Sequence, residues 1–255
     1  MVKVFVGDEL RDALRLTSLI GRDRARHFVP GQHPLGGGIA ALDKELAGRS
    51  ELTLEEKYSL GSLKLVAETV FQQERHWVPH RDRFLGQLRK ASYCEAILFE
   101  IEVIRFGVAP KVESLDWPIY RQGERDVRTY GPDMLIECKL PRSRGANSLE
   151  KSLTRAKNQP RPRGIPLVVA IGLAGWHFSG RHEQVTNLVN SLTSWFETHP
   201  EVSAALFFTR LDRPLPALQI GGVATELRPI YLGDIVEFVN LRANNPLPRG
   251  FTFRW

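Results

Sequence analysis

The sequence predicts an α/β protein in which helices flank a mixed central sheet. Helical and extended patterns alternate between residues 83 and 209, an order typical of helices packed on a sheet. Two short apolar segments, Pro166–Leu173 and Val202–Thr209, have the length and the branched side chains of buried strands. A third segment, Arg125–Lys139, has strand-like residues on both sides of a central Gly-Pro pair, which indicates a β-hairpin.

Residues 1–79 are predicted to form a mostly helical N-terminal extension. Asp8–Ile20 has apolar residues at helical spacing. Thr53 and Glu56 have the identities and the spacing of a capping box at the start of a helix. The extension carries no chemical motif. We interpret it as an arm that clamps DNA, as a homodimerisation element or as a docking module for a partner subunit.

Residues 80–255 are predicted to form the domain that contains the sheet. Long helical patterns at Arg83–Phe106, Leu149–Gln159 and Arg181–Thr198 separate its extended segments. Its C-terminal part is expected to contain an extra hairpin and a short helix, at Leu218–Ile230 and Leu232–Leu241.

The composition favours a globular, cytoplasmic protein with a polyanionic partner. Hydrophobic residues make up 42% of the chain and charged residues 25%, both ordinary globular values. We expect no membrane association, because no apolar run is long enough to span a bilayer and the first nine residues lack a secretory pattern. Cys94 and Cys138 are too few for a disulfide scaffold or a cysteine zinc site. The formal charge of +6 favours a polyanion, although mildly.

The hairpin register places two carboxylates side by side. If Gly131 and Pro132 form a two-residue loop, Asp126 lies directly opposite Glu137. Directly opposed residues have Cβ atoms about 5 Å apart, and like charges in such pairs destabilise the sheet. Lys139 lies two residues beyond Glu137 and therefore on the same face. This arrangement indicates a site for a cation.

These residue types suit metal-assisted hydrolysis of phosphodiesters. Mg²⁺ binds through one or two carboxylates and keeps several waters. The bound ion can polarise a phosphoryl oxygen and activate a water. A lysine beside the ion could orient that water or hold the phosphate. The alternative is an ordinary solvated strand end, since Glu-x-Lys is common by chance.

At these residues the chain resembles the PD-(D/E)xK nuclease superfamily, in which an Asp on one strand is followed by Glu-x-Lys on the next. Glu137-Cys138-Lys139 matches the second part of that pattern. For the first part we favour Asp126, and Asp133 in the literal Pro132-Asp133 pair is the alternative metal ligand. The resemblance covers about residues 83–210 and implies a restriction-endonuclease-like core.

The resemblance also implies roles for individual residues. Asp126, Glu137 and the backbone carbonyl of Cys138 would bind Mg²⁺, with Mn²⁺ as a substitute, and Lys139 would orient the attacking water. Glu100 has apolar neighbours at helical spacing, so we expect it to face the interior, where it would assist the metal. Glu95 and Glu102 are the alternatives, although Arg105 three residues further on indicates that Glu102 forms a surface salt bridge. Gln159 would hold the water or the phosphate.

A basic stretch follows the hairpin directly. It contains one acid, Glu150, and its cations are candidate phosphate ligands because they adjoin the predicted metal site. These are Arg142, Arg144, Lys151, Arg155, Lys157, Arg161 and Arg163. The alternative is a solvated helix face.

The sequence therefore predicts an Mg²⁺-dependent nuclease with DNA as the expected substrate. Restriction, anti-phage defence and recombination are roles that the resemblance implies without choosing among them. Two alternatives remain: a non-catalytic nucleic-acid-binding or assembly subunit that keeps the fold, and a ribonuclease with the same site.

Overall fold

The structure is a computed structural model that divides into two compact units. It describes residues 8–21, 27–48, 51–108, 112–117, 126–140, 146–158, 162–174, 194–210, 235–251 and 253. Unit 1 extends to Ile101, and unit 2 begins at Glu102. The boundary that we predicted at residue 79 therefore lies inside unit 1.

The described part of unit 1 is helical, as the sequence predicted. Its helices are α1 (Asp8–Ile20), α2 (Gly36–Ala47), α3 (Leu54–Gln72), α4 (Glu74–Trp77), α5 (Arg81–Leu88) and α6 (Ala91–Glu102), with a 3₁₀ turn at Val78–His80. Both α1 and α2 pack on α3. The predicted single helix at Arg83–Phe106 is instead α5, α6 and a π-helical turn at Val103–Val108.

The long helix α3 begins at the predicted capping box. Thr53 Oγ1 accepts a hydrogen bond from the Glu56 backbone N–H at 3.2 Å, and Glu56 Oε2 accepts one from the Thr53 N–H at 2.8 Å. The two residues thus satisfy each other's exposed amides at the helix end. Lys44 of α2 also binds the Glu56 carboxylate at 2.8 Å, which ties α2 to the start of α3.

Aromatic rings fill the core of unit 1 around Trp77. Trp77 is 2% exposed and stacks on Phe84 at a centroid distance of 5.2 Å. Phe71 meets the same indole edge-on at 6.1 Å. The indole Nε1–H donates a hydrogen bond to the Val70 carbonyl at 2.8 Å, so the polar atom of this buried ring is satisfied.

Unit 2 contains a six-stranded mixed sheet, which confirms the predicted α/β class. The strands are β1 (Ser114–Asp116), β2 (Val127–Tyr130), β3 (Met134–Lys139), β4 (Leu167–Ala174), β5 (Ala204–Arg210) and β6 (Ile235–Val239). They lie in the sheet in chain order. The inner strands β3, β4 and β5 are parallel, and the remaining pairs are antiparallel. Both predicted apolar strands are therefore present, as β4 and β5.

Helical segments cover one face of this sheet. Leu153 and Ala156 of helix α7 (Ala146–Lys157) are 1% and 0% exposed and pack on that face. The helical residues 194–198 contribute Trp195 and Phe196 to the same cluster. The strands supply Leu135, Leu167, Val169, Ile171, Ala205 and Phe207. This apolar layer holds α7 against the strands that carry the candidate site.

The C-terminal helix that we predicted at Leu232–Leu241 is wrong, because Ile235–Val239 forms the edge strand β6. Its side chains are branched or aromatic at four of five positions, which suits a strand. Pairing with β5, in which Ala204 faces Val239 and Phe208 faces Ile235, decides the outcome. The predicted hairpin at Leu218–Ile230 and residues 181–193 of the predicted third helix lie outside the described residues.

Helices long and apolar enough to cross a bilayer are absent from the described part of the chain.

Candidate functional site

The β2–β3 hairpin has the predicted register. Val127 faces Ile136, Arg128 faces Leu135 and Thr129 faces Met134. Gly131 sits in the turn with φ of +62°, a backbone conformation in which glycine is favoured. Asp126 directly precedes Val127, the first residue of β2, so it lies at the open end of the hairpin, as Glu137 does.

Asp126 is turned towards the backbone that follows Glu137. It directly precedes β2, it is half-buried, and its Oδ2 accepts a hydrogen bond from the Cys138 N–H at 2.7 Å. A charged acceptor makes such a bond about twice as strong as a neutral one. The bond fixes one carboxylate of the candidate site to the strand that carries the other.

Glu137 and Lys139 form an ion pair on β3. The Glu137 side chain is 0% exposed and that of Lys139 is 22% exposed. Lys139 Nζ donates a hydrogen bond to Glu137 Oε1. The two residues lie on one face because successive side chains of a strand alternate.

The surroundings of Glu137 are apolar. β3 is an inner strand, and Met134–Cys138 are all buried, so the solvated strand end that we considered as the alternative is not what forms. Parallel pairing places Glu137 next to Val169 and Lys139 next to Ile171, both 0% exposed. A carboxylate in such a place needs a cation or strong hydrogen bonds, because burial of an isolated charge is costly.

Asp133 lies at the other end of the hairpin. It is exposed in the turn, and its two oxygens accept hydrogen bonds from Arg128 Nε and Nη2, each at 3.2 Å. Four residues of strand, about 13 Å, separate it from Glu137. The structure thus brings Asp126, not Asp133, to Glu137. Sequence reasoning overlooked Arg128, although the register places it diagonally across from Asp133.

The acids of α6 are arranged differently from our expectation. We expected Glu100 to face the interior and Glu102 to form a surface ion pair. Glu100 is half-buried, on the side of α6 that also carries exposed Tyr93, whereas Glu102 is 3% exposed. The reason is that α6 leads into a π-helical turn whose first residues, Val103 and Ile104, are buried. Glu102, in unit 2, is therefore the buried carboxylate that sequence reasoning missed.

Three of the predicted phosphate ligands lie at the protein surface in the described residues. Lys151 and Arg155 are exposed one helical turn apart on α7, and Arg163 is exposed in the turn before β4. Arg142, Arg144 and Arg161 lie outside the described residues, as does Gln159.

Lys157 has a structural partner. Its Nζ lies 3.2 Å from Glu201, and both side chains are about three-quarters buried, at 25% and 24% exposure. Burial raises the pKa of the Glu201 carboxyl, but its own backbone N–H and the Lys157 ammonium outweigh that effect and hold the pKa below its usual value. Lys157 therefore belongs to the packing of α7, in contrast to Lys151 and Arg155.

The chemistry of the donors fits a hard divalent ion. Two carboxylates and the Cys138 carbonyl are oxygen ligands of the kind Mg²⁺ prefers, and Mg²⁺ completes its shell with waters. Clusters of three or more His, Cys, Asp or Glu side chains placed to hold a metal do not occur among the described residues. The candidate site offers two carboxylates and one carbonyl, and Mg²⁺ is commonly bound through one or two carboxylates with waters completing its shell.

Comparison of the chain with protein-family models, with curated proteins and with solved structures found no match.

Proposed function

We propose that the protein is an Mg²⁺-dependent nuclease that hydrolyses phosphodiester bonds in DNA. The observation that carries this proposal is the arrangement of side chains at the open end of the β2–β3 hairpin. There Asp126 is hydrogen-bonded to the backbone next to buried Glu137, and Lys139 contacts Glu137. Two acids close together, one of them buried on an inner strand, are costly without a compensating cation, because burial and repulsion both disfavour their charged forms.

Each residue has a role that follows from its position. Asp126, Glu137 and the Cys138 carbonyl would hold Mg²⁺, which supplies Lewis-acid activation of the phosphate and of a water when it is bound. The bond from the Cys138 N–H keeps the Asp126 carboxylate from rotating away. Lys139 is one-fifth exposed on a flexible stem, so its ammonium can reach a water or a phosphate oxygen at the edge of the sheet.

A second candidate function is nucleic-acid binding without cleavage. The Lys139–Glu137 ion pair favours it, because such a pair can neutralise the buried carboxylate permanently. In that case Lys151, Arg155 and Arg163 would provide the phosphate contacts, and the hairpin acids would serve the fold.

The experiment is cleavage by the purified full chain. Supercoiled plasmid, single-stranded DNA and RNA are each incubated with Mg²⁺, Mn²⁺ or EDTA. We expect nicked and linear plasmid with either metal and intact plasmid in EDTA. Cutting of RNA but not DNA would replace the substrate with RNA. Binding without cutting under every condition would favour the second candidate, and equal cutting in EDTA would contradict the proposed metal site.

Binding to DNA is predicted to depend on the outer face of α7. The double change Lys151→Ala and Arg155→Ala removes two exposed cations. We expect weaker DNA binding and a salt dependence, log K against log[salt], that is shallower by about one unit per lost phosphate contact. Fluorescence anisotropy with a labelled duplex at several salt concentrations measures both quantities.

Lys157→Ala is the matched control for this double change. It removes a cation of the same helix that is bound to Glu201, so the salt slope should stay that of the wild type. If the double variant keeps the wild-type slope as well, α7 is a solvated face and phosphate docks elsewhere.

A further inference from the structure

We infer that Lys139 is the resident cation of the candidate site and that a divalent ion must displace its ammonium from Glu137 to bind. This inference rests on the proposed function, because it concerns loading of the same site. It adds that the Lys139 ammonium and the metal ion compete for the Glu137 carboxylate. Lys139, which would act on the substrate, stays bound to Glu137 until the metal ion replaces it there.

The first support is the identity of the atoms in contact. Lys139 Nζ donates to Glu137 Oε1, an oxygen that a metal bound through Glu137 would compete for. Mg²⁺ would sit about 2.0–2.1 Å from a ligand oxygen. A second cation at that oxygen would lie within about 4 Å of the ammonium, where like charges repel strongly.

The second support is the difference in freedom between the two side chains. Glu137 is 0% exposed on an inner strand paired on both sides, so it cannot follow the ion outward. Lys139 is the last residue of β3, is 22% exposed and has a four-carbon stem. The movable member of the pair is therefore the lysine.

The third support is charge balance without metal. Asp126 accepts a hydrogen bond from the Cys138 N–H, so its carboxylate lies next to the residue that follows Glu137. Two acids therefore lie close together at this end of β3. In the absence of a divalent ion, the Lys139 ammonium offsets their repulsion. Replacement of the Lys139 ammonium by the divalent ion keeps a cation beside Glu137 at every stage. Once the ion has bound, the ammonium is free to move towards the edge of the sheet.

The experiment measures metal binding, not cleavage, in the full-length protein. Mn²⁺ is titrated into the wild type, Lys139→Met and Lys139→Arg, and free Mn²⁺ is followed by electron paramagnetic resonance. We expect Lys139→Met to bind Mn²⁺ about tenfold more tightly or better, because a neighbouring unit charge is removed. Lys139→Arg keeps that charge and should remain within about threefold of the wild type, a change well below one tenfold step.

Lys151→Met is the control for loss of one positive charge, because Lys151 is exposed on α7. It should bind Mn²⁺ like the wild type. Glu137→Gln gives the baseline without a metal ligand. Without metal, Lys139→Met should melt at a lower temperature than Lys151→Met, and saturating Mn²⁺ should raise its melting temperature by more than it raises that of the wild type.

A measurement on the unaltered protein covers the case in which Lys139→Met does not fold. Acetylation of lysines by an activated ester is followed by peptide mass spectrometry with and without Mg²⁺. Acetylation of Lys139 should rise with Mg²⁺, while that of Lys151 should stay constant.

The outcomes separate this inference from the proposed function. Equal Mn²⁺ affinity in wild type and Lys139→Met, or constant Lys139 acetylation in a protein that binds metal, overturns the displacement and leaves the metal site standing. Binding by the wild type no better than by Glu137→Gln removes the metal site, and the inference fails with it.

Discussion

Replacing Lys139 with alanine is expected to lower DNA cleavage about 100-fold or more while DNA binding changes little. A group that stabilises the transition state contributes on that order to the rate. By contrast, one ammonium is a small part of the proposed electrostatic binding surface, to which exposed Lys151 and Arg155 would also contribute. Plasmid nicking with Mg²⁺ gives the rate, and fluorescence anisotropy gives the affinity.

Glu137→Ala is expected to abolish cleavage as well, by removing a proposed metal ligand. Asp126→Asn should do the same, whereas Asp133→Asn should retain activity, because Asp133 is held by Arg128 in the turn.

Full activity in Lys139→Ala would rule out the mechanism. Loss of activity in Asp133→Asn but not in Asp126→Asn would reverse the choice of acid and keep the reaction class.

The largest stability effect is expected from Trp77→Ala in unit 1. Trp77 is 2% exposed, stacks on Phe84 and donates a hydrogen bond to the Val70 carbonyl. Truncation leaves a cavity, loses aromatic packing and removes the hydrogen bond to the Val70 carbonyl. Substitutions of this kind cost about 3–5 kcal/mol. Urea unfolding followed by far-UV circular dichroism gives the free energy of unfolding.

Tyr93→Ala is the control for this change, since Tyr93 is 53% exposed on α6. Its cost should stay within about 0.5 kcal/mol, as for most surface positions. Similar unfolding curves for the two variants would mean that Trp77 does not anchor the core of unit 1.

Local patterns predicted those parts of the fold that local chemistry decides. Gly131-Pro132 set the hairpin register, and Thr53 with Glu56 set the start of α3. The apolar centres of β4 and β5 were readable because strands buried on both faces become continuous apolar runs. The shared face of Glu137 and Lys139 followed from the two-residue period of a strand, whereas their ion pair was not predicted.

Errors arose where a distant segment decides the outcome. Ile235–Val239 is a short apolar run that suits a helix or a strand, and the edge of β5, some thirty residues earlier, selects the strand. Lys157 was predicted to contact phosphate like its basic neighbours, but it forms an ion pair with Glu201, which is distant in the sequence. Glu102 is buried and Glu100 only half-buried, because the burial of a helix face depends on what packs against it and not on residue spacing alone.

The inner position of β3 has a consequence for when the candidate site exists at all. β3 is bonded to β2 on one side and to β4 on the other, so Glu137 leaves its place only when the sheet opens. Opening free energies range from near zero at frayed ends and mobile loops to the full unfolding free energy in core strands. Glu137 belongs to the second group. The placement of the buried carboxylate is therefore governed by the global stability of unit 2, and a substitution that weakens this sheet anywhere lowers the fraction of molecules that contain a complete site.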